Sequence, residues 1–82
     1  MKLQPSELSE RRVVRNGTVL AVLRIIDHGH VFKVVAELFR DDAEGRRSNV
    51  RPYTFRDHEH AAAFVEDAVG AFSHLGCEIV EA

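Results

Sequence analysis

Five histidines are the residues of this sequence that most resemble a metal site. They form two His-x-His pairs, His28 with His30 and His58 with His60, and His74 follows. Two imidazoles can share one zinc ion when both lie on one face of a strand. The first pair instead flanks a glycine in a predicted turn, and the second lies in a predicted helix, where residues i and i+2 project about 200° apart. We predict no metal site and no cofactor; the alternative is a combined site of His30 with a histidine at the helix start.

No group of residues is suited to nucleophilic catalysis. Ser73 and His74 are adjacent in the predicted helix, so their side chains diverge by about 100° and form no relay. Cys77, the one cysteine, opens a short predicted strand, a position typical of a structural thiol. The five glycines are isolated and lack the spacing of a phosphate-binding loop. We predict that the protein is not an enzyme.

Arginines and aromatic residues are interleaved in segment 46–56, a composition that suits single-stranded nucleic acid. The arginines would contact phosphates and the rings would stack on bases. The candidate binding residues are Arg46, Arg47, Arg51, Tyr53 and Arg56. In a strand, Arg51, Tyr53 and Phe55 share one face, so the alternative is that the rings join the core. Because the pI is only about 6.2, nucleic-acid binding is the second hypothesis and not the favoured one.

Length and composition limit the class of protein. The chain has 82 residues, of which 45% are hydrophobic and 29% charged, as in one soluble globular domain. A single cysteine excludes a disulfide scaffold, and no apolar run approaches the roughly 20 residues of a membrane span. We therefore expect a cytoplasmic protein with a flexible lead-in over 1–9 and one α+β domain over 10–82.

Charge is unevenly distributed along the chain. The first 56 residues hold all 11 Lys and Arg against 7 acids, a net +4. The last 26 hold 6 acids and no Lys or Arg, a net −6. This asymmetry could influence how two copies meet.

Two turn signals divide the N-terminal half into three strands. Asn16 and Gly17 suit a type I′ turn, which needs positive φ at both central residues. If His28 and Gly29 form a second two-residue turn, eight apolar residues share one sheet face. They are Val19, Ala21, Leu23, Ile25, Phe32, Val34, Ala36 and Leu38. In this register Ile25 lies opposite Phe32, and a helix would cover this face.

The C-terminal half predicts a loop, a strand, a helix and a last strand. Residues 41–47 are a predicted solvated loop, and a fourth strand over 49–55 would lie at a sheet edge because Pro52 lacks an amide donor. Asp57 and Gly76 suit the two ends of an amphipathic helix. Its apolar arc comprises Ala61, Phe64, Val65, Ala68, Val69, Ala71, Phe72 and Leu75. The predicted fold is α+β: an antiparallel meander of three or four strands, one helix packed on one sheet face, and a short C-terminal strand over 77–81.

The second sheet face is more apolar than an exposed face usually is. Its apolar residues are Leu20, Val22, Ile26, Val31, Val35 and Phe39. We predict a small non-enzymatic interaction or regulatory protein that forms a homodimer through this face or through edge strands, or that binds a partner protein there. The alternative is that the N-terminal segment, with Leu3 and Leu8, folds back over the face.

Overall fold

The computed structural model describes residues 6–81, which form one five-stranded antiparallel sheet and one helix. The elements are β1 (Ser6–Arg15), β2 (Thr18–Asp27), β3 (Phe32–Asp42), β4 (Gly45–Phe55), α1 (His58–His74) and β5 (Glu78–Glu81). The strand order is β4-β3-β2-β1-β5, so β4 and β5 are the edges. The predicted α+β meander with one helix and a short C-terminal strand is confirmed. Among these residues no helix has the length and apolarity to cross a membrane.

The first hairpin turns where the sequence predicted. Asn16 and Gly17 both have positive φ, 51° and 78°, as a type I′ turn requires. β1, however, begins at Ser6, so residues 6–9 belong to the sheet and not to a lead-in. They pair with the far end of β2, whose backbone groups would otherwise lack partners on that side. Residues 1–5 lie outside the described part of the chain.

The second hairpin turns one residue later than predicted. His28 N–H donates to the Val31 carbonyl at 2.9 Å, which leaves Gly29 and His30 at the tip. Gly29 has a φ of +93°, a conformation that glycine adopts without strain. The Asp27 carboxylate accepts the Gly29 N–H at 2.7 Å and holds the loop in this form.

The later turn shifts every β2–β3 pair by two positions. Ile25 lies opposite Val34, and each residue between Ala21 and Asp27 keeps its predicted face because side chains alternate with period two. The predicted register would have set Arg24 opposite Lys33, whereas the structure sets Val35 there. Like charges directly opposite each other are unfavourable, so the observed register removes a repulsion.

β3 and β4 continue through most of the segment expected to be a loop. Only Ala43 and Glu44 form the turn, so the prediction of a loop over 41–47 is wrong. Asp41 lies opposite Arg46, an opposite-charge pair that favours strand pairing, although Arg40 lies opposite Arg47 in the same ladder. β4 is a sheet edge, as Pro52 predicted.

The ends of α1 follow their capping residues. The Asp57 side chain accepts the His60 N–H at 2.9 Å at the N-terminus. At the C-terminus Gly76 has a φ of +89°, and Cys77 N–H donates to the Phe72 carbonyl at 3.1 Å. This is the bond pattern of a Schellman cap, and both predicted helix ends are confirmed.

The core lies between α1 and strands β2 and β3. Its buried residues are Leu23, Ile25, Val34, Ala36, Ala61 and Val65. The predicted apolar arc is therefore buried in the middle of the helix, but Leu75 at the C-cap is 67% exposed, so the arc stops short of the helix end.

Candidate interaction site

The sheet face opposite α1, called here the second face, has no covering layer within residues 6–81. Every described element other than α1 is a strand of the sheet itself. The thinnest dimension of the molecule is 19 Å, which is about the combined thickness of one sheet and one helix. Leu8, the alternative cover for this face, belongs to β1 and is 47% exposed. Leu3 lies outside the described residues.

Five of the six apolar residues predicted for the second face lie on it or at its hairpin end. They are Val22, Ile26, Val31, Val35 and Phe39. Leu20 differs because a β-bulge lies beside it. Val14 pairs with Val19 and the register then skips Leu20. The bulge shifts the alternation, so Val19, predicted to face the helix, lines a depression on the second face next to Val22.

An ion-pair network of Glu7, Glu10, Arg12, Arg24 and Glu37 crosses three strands of the second face. Arg24 Nε lies 2.9 Å from Glu10 Oε1 and 3.4 Å from Glu7 Oε1, and its terminal nitrogen lies 3.4 Å from Glu37. Arg12 bonds the other Glu10 oxygen at 3.0 Å. The register creates the network, because Glu10 lies directly opposite Arg24 in the β1–β2 ladder.

Charge in the network is stabilised by its hydrogen bonds. The hydrogen bond from Arg24 lowers the pKa of Glu10, against a smaller opposing effect of burial. For Arg24, burial acts to lower the pKa, but the hydrogen bonds to Glu10 and Glu37 outweigh it and raise the pKa. The central groups are therefore charged and paired at neutral pH.

Long side chains shield the apolar surface beneath them. Val22 is only 5% exposed although no element covers it. Arg12 lies opposite Val22, and Arg24 is two residues further along the same strand. Arginine stems commonly lie along apolar surface in this way.

A shallow depression of about 490 Å³ opens at the turn end of the second face. Three arginines and three apolar residues line it: Arg12, Arg24, Arg46, Val19, Val22 and Phe39. The Arg46 guanidinium lies 4.9 Å from the centre of the Phe39 ring and donates to the Val19 carbonyl. An apolar base with a guanidinium rim suits contact with an apolar side chain beside an acidic group.

The aromatic residues of segment 46–56 pack towards the helix. The Tyr53 ring lies 4.7 Å from the Phe64 ring, and the Phe55 ring lies 5.5 Å from it. Tyr53 remains 38% exposed at the edge of this cluster. Phe55 therefore packs against the core, as the alternative predicts, and Tyr53 lies at its margin.

The candidate arginines of segment 46–56 are exposed, but they do not form one basic face. Strand alternation separates Arg46, on the second face, from Arg47 and Arg51, on the helix side. Arg47 pairs with Glu44 in the adjacent turn. Arg56 follows β4.

The histidines of the helix start have other contacts. His60 Nδ1 lies 2.8 Å from the Asp57 carboxylate, and the His58 ring packs edge-on against Phe32 at 5.7 Å. The backbone N–H of His60 lowers the pKa of Asp57. Within residues 6–81, no three His, Cys, Asp or Glu side chains are grouped in a way that could hold a metal ion.

Sequence reasoning missed the ion-pair network because it depends on the register. The sequence predicts no face for Glu10, and the predicted register sets Glu37 opposite Leu20 instead of Val22. The repulsion between Arg24 and Lys33 in the predicted register was the available signal against it.

Comparison of the chain with protein-family models, with curated proteins and with solved structures finds no match. The fold and the site define a two-layer α+β protein with one open sheet face.

Proposed function

We propose that this chain is a small non-enzymatic interaction domain of the cytoplasm that forms a homodimer through the second face. The observation that supports this is an open sheet face bearing half-buried Ile26, Val35 and Phe39. Apolar side chains at this density are unusual on a solvated face of a monomer.

The size of the face suits a dimer contact. β1 to β4 each have 10 or 11 residues, so together they cover roughly 19 by 34 Å, or about 650 Å² in projection. A standard interface takes about 800 Å² of accessible surface from each partner. The projected area is smaller than the accessible area of the same side chains, so the two values are comparable.

The ion-pair network of the second face is compatible with burial. Burying an unpaired charge is costly, but Arg24 already has Glu10 and Glu37 as partners in the single chain. A two-fold contact would bring the same patch of each copy together and leave these pairs intact. The apolar part of the patch, around Val35 and Phe39, would supply the burial that drives association.

The mass in solution tests the dimer. Light scattering after size exclusion at 5–200 µM should give about 18 kDa, twice the 9.2 kDa of one chain. Val35→Gln should give about 9 kDa, because it places a polar amide in the centre of the contact without setting a like charge opposite Arg24. Ala63→Gln introduces the same side chain on the exposed side of α1 and should remain dimeric. A wild-type mass near 9 kDa over the whole range would refute the proposal.

Single-stranded nucleic-acid binding is the second candidate function. It is supported by the exposed side chains of Arg46, Arg47, Arg51 and Arg56, with no acid within β4 itself. It is weakened by the packing of Tyr53 against Phe64, which uses part of the ring surface that bases would need. A fluorescent oligonucleotide at 50 mM salt tests it, and absence of binding at that low ionic strength would end it.

A further inference from the structure

β4 is a long sheet edge that nothing in residues 6–81 covers. It is the first strand in the sheet order, and 10 of its 11 residues are exposed. Such an edge presents a row of unpaired N–H and C=O groups that can template another strand. β5, at the opposite edge, has only four residues.

The turn determines which backbone groups of β4 point outward. A two-residue turn makes its flanking residues, 42 and 45, a hydrogen-bonded pair. From there, hydrogen-bonded and non-hydrogen-bonded pairs alternate along the two strands. Residues 47, 49, 51 and 53 therefore bond to β3. The outward groups belong to Arg46, Ser48, Val50, Pro52 and Thr54. Pro52 fits this alternation, because at an outward position its missing N–H costs the ladder nothing.

The part of the edge that can hydrogen-bond to an added strand is Arg46–Val50. It offers three outward N–H donors, and the next outward residue, Pro52, has none. A strand added here would therefore be about five residues long.

The charges along the edge favour a partner strand of negative charge. β4 holds Arg46, Arg47 and Arg51 and no acid, and Arg56 follows it. Within residues 6–81, Arg51 and Arg56 have no ion-pair partner. Positive charge on an edge opposes pairing with another copy of the same strand. The same charge favours a strand that carries carboxylates.

We propose that the outer edge of β4, over Arg46–Val50, binds an extended acidic peptide as an added antiparallel or parallel strand. Main-chain hydrogen bonds to β4 supply affinity, and side-chain alternation supplies selectivity. Carboxylates on the helix side of the peptide lie beside Arg47 and Arg51. An apolar residue on its other side lies beside Val50, which is 51% exposed.

A peptide of alternating Glu and Val, seven residues long and labelled with fluorescein, tests the proposal by fluorescence anisotropy. Wild type and Ser48→Ala should bind it equally, because both keep the N–H at position 48. Ser48→Pro removes that N–H without removing a bond to β3, and binding should weaken at least tenfold. Circular dichroism checks that both variants are folded. Replacing Glu by Lys in the peptide should abolish binding.

A chemical change in the peptide gives the same test without altering the protein. N-methylation of alternate peptide amides removes donors from one edge only, and one of the two methylation patterns should abolish binding to wild type. The Val35→Gln variant, which we expect to be monomeric, should still bind, so that the edge and the second face are tested separately.

Three results would overturn the proposal. The first is no peptide binding at 1 mM. The second is binding that neither Ser48→Pro nor N-methylation changes, which would indicate charge attraction alone. The third is a 12-nucleotide single strand that binds wild type and Ser48→Pro equally while the peptide does not bind, which would assign the arginines to phosphate.

Discussion

The two faces of the sheet use the same strands in different ways. Ile25 and Ile26 are neighbours in β2, yet Ile25 is 4% exposed against α1 and Ile26 lies half-buried on the open face. The core between sheet and helix is apolar in both layers, and one ion pair, Arg11 with Glu66, joins the two layers beside it. The second face combines aliphatic residues with the ion-pair network. The difference indicates that the helix face supplies most of the apolar burial of the single chain, whereas the second face is the one that the proposed dimer would use.

The largest expected effect is on the helix face. Ile25→Ala should lower the free energy of unfolding by about 2–5 kcal/mol, because it leaves a cavity in the core. Ile26→Ala, measured where the chain is monomeric, should lower it by about 1 kcal/mol or less, because solvent fills the space. Urea denaturation of both variants measures the two values.

The same two substitutions should rank in the opposite order in their effect on the proposed dimer. Ile26→Ala should weaken the dimer, whereas any folded fraction of Ile25→Ala should dimerise as wild type does. Equal losses of stability from the two substitutions would mean that the second face is covered in the single chain.

Substitutions in α1 and at its C-terminal cap should have effects of intermediate size on the free energy of unfolding. Gly76 has a φ of +89°, so Gly76→Ala should destabilise the chain by about 1–2 kcal/mol. Gly70→Ala should stabilise it by up to about 1 kcal/mol, because a Cβ there would meet nothing within 4 Å in a helix interior. Thermal unfolding measures both changes.

These two substitutions should leave the dimer constant unchanged, since neither residue is on the second face. A change in that constant with Gly70→Ala would place part of the contact on the helix and contradict the division between the faces.

Local chemistry made most of the fold predictable. Asn16 with Gly17, and the caps at Asp57 and Gly76, act through backbone conformations that a few adjacent residues determine. Side chains alternate between the two sheet faces, and a shift of two residues leaves each side chain on the same face. The central residues were therefore assigned to the correct faces although the predicted register was wrong.

Features that depend on contacts between strands were not predictable in this way. The bulge beside Leu20 follows from how β1 and β2 pair at a distance, and it moved Val19 to the other face. The contacts of Arg24 with Glu10 and Glu37 required both registers to be known. The candidate site was therefore predicted in its apolar part and missed in its charged part.

The smallest expected effect is a difference between the two faces in how stability depends on pH. The hydrogen bond from Arg24 lowers the folded-state pKa of Glu10 below its ordinary 4.5, so its contribution to stability is complete above pH 4.5 and is lost as pH falls through the lowered value. Glu10→Gln should therefore show a shallower loss of stability between pH 6 and pH 3 than the protein with Glu10, in urea denaturation of the Val35→Gln background, which we expect to be monomeric. Asp57, whose pKa is also lowered, keeps part of the acid dependence in both proteins. Ile25→Ala should retain the full acid dependence, because the core contains no titrating group. If Glu10→Gln leaves the pH dependence unchanged, the ion-pair network does not stabilise the second face in solution.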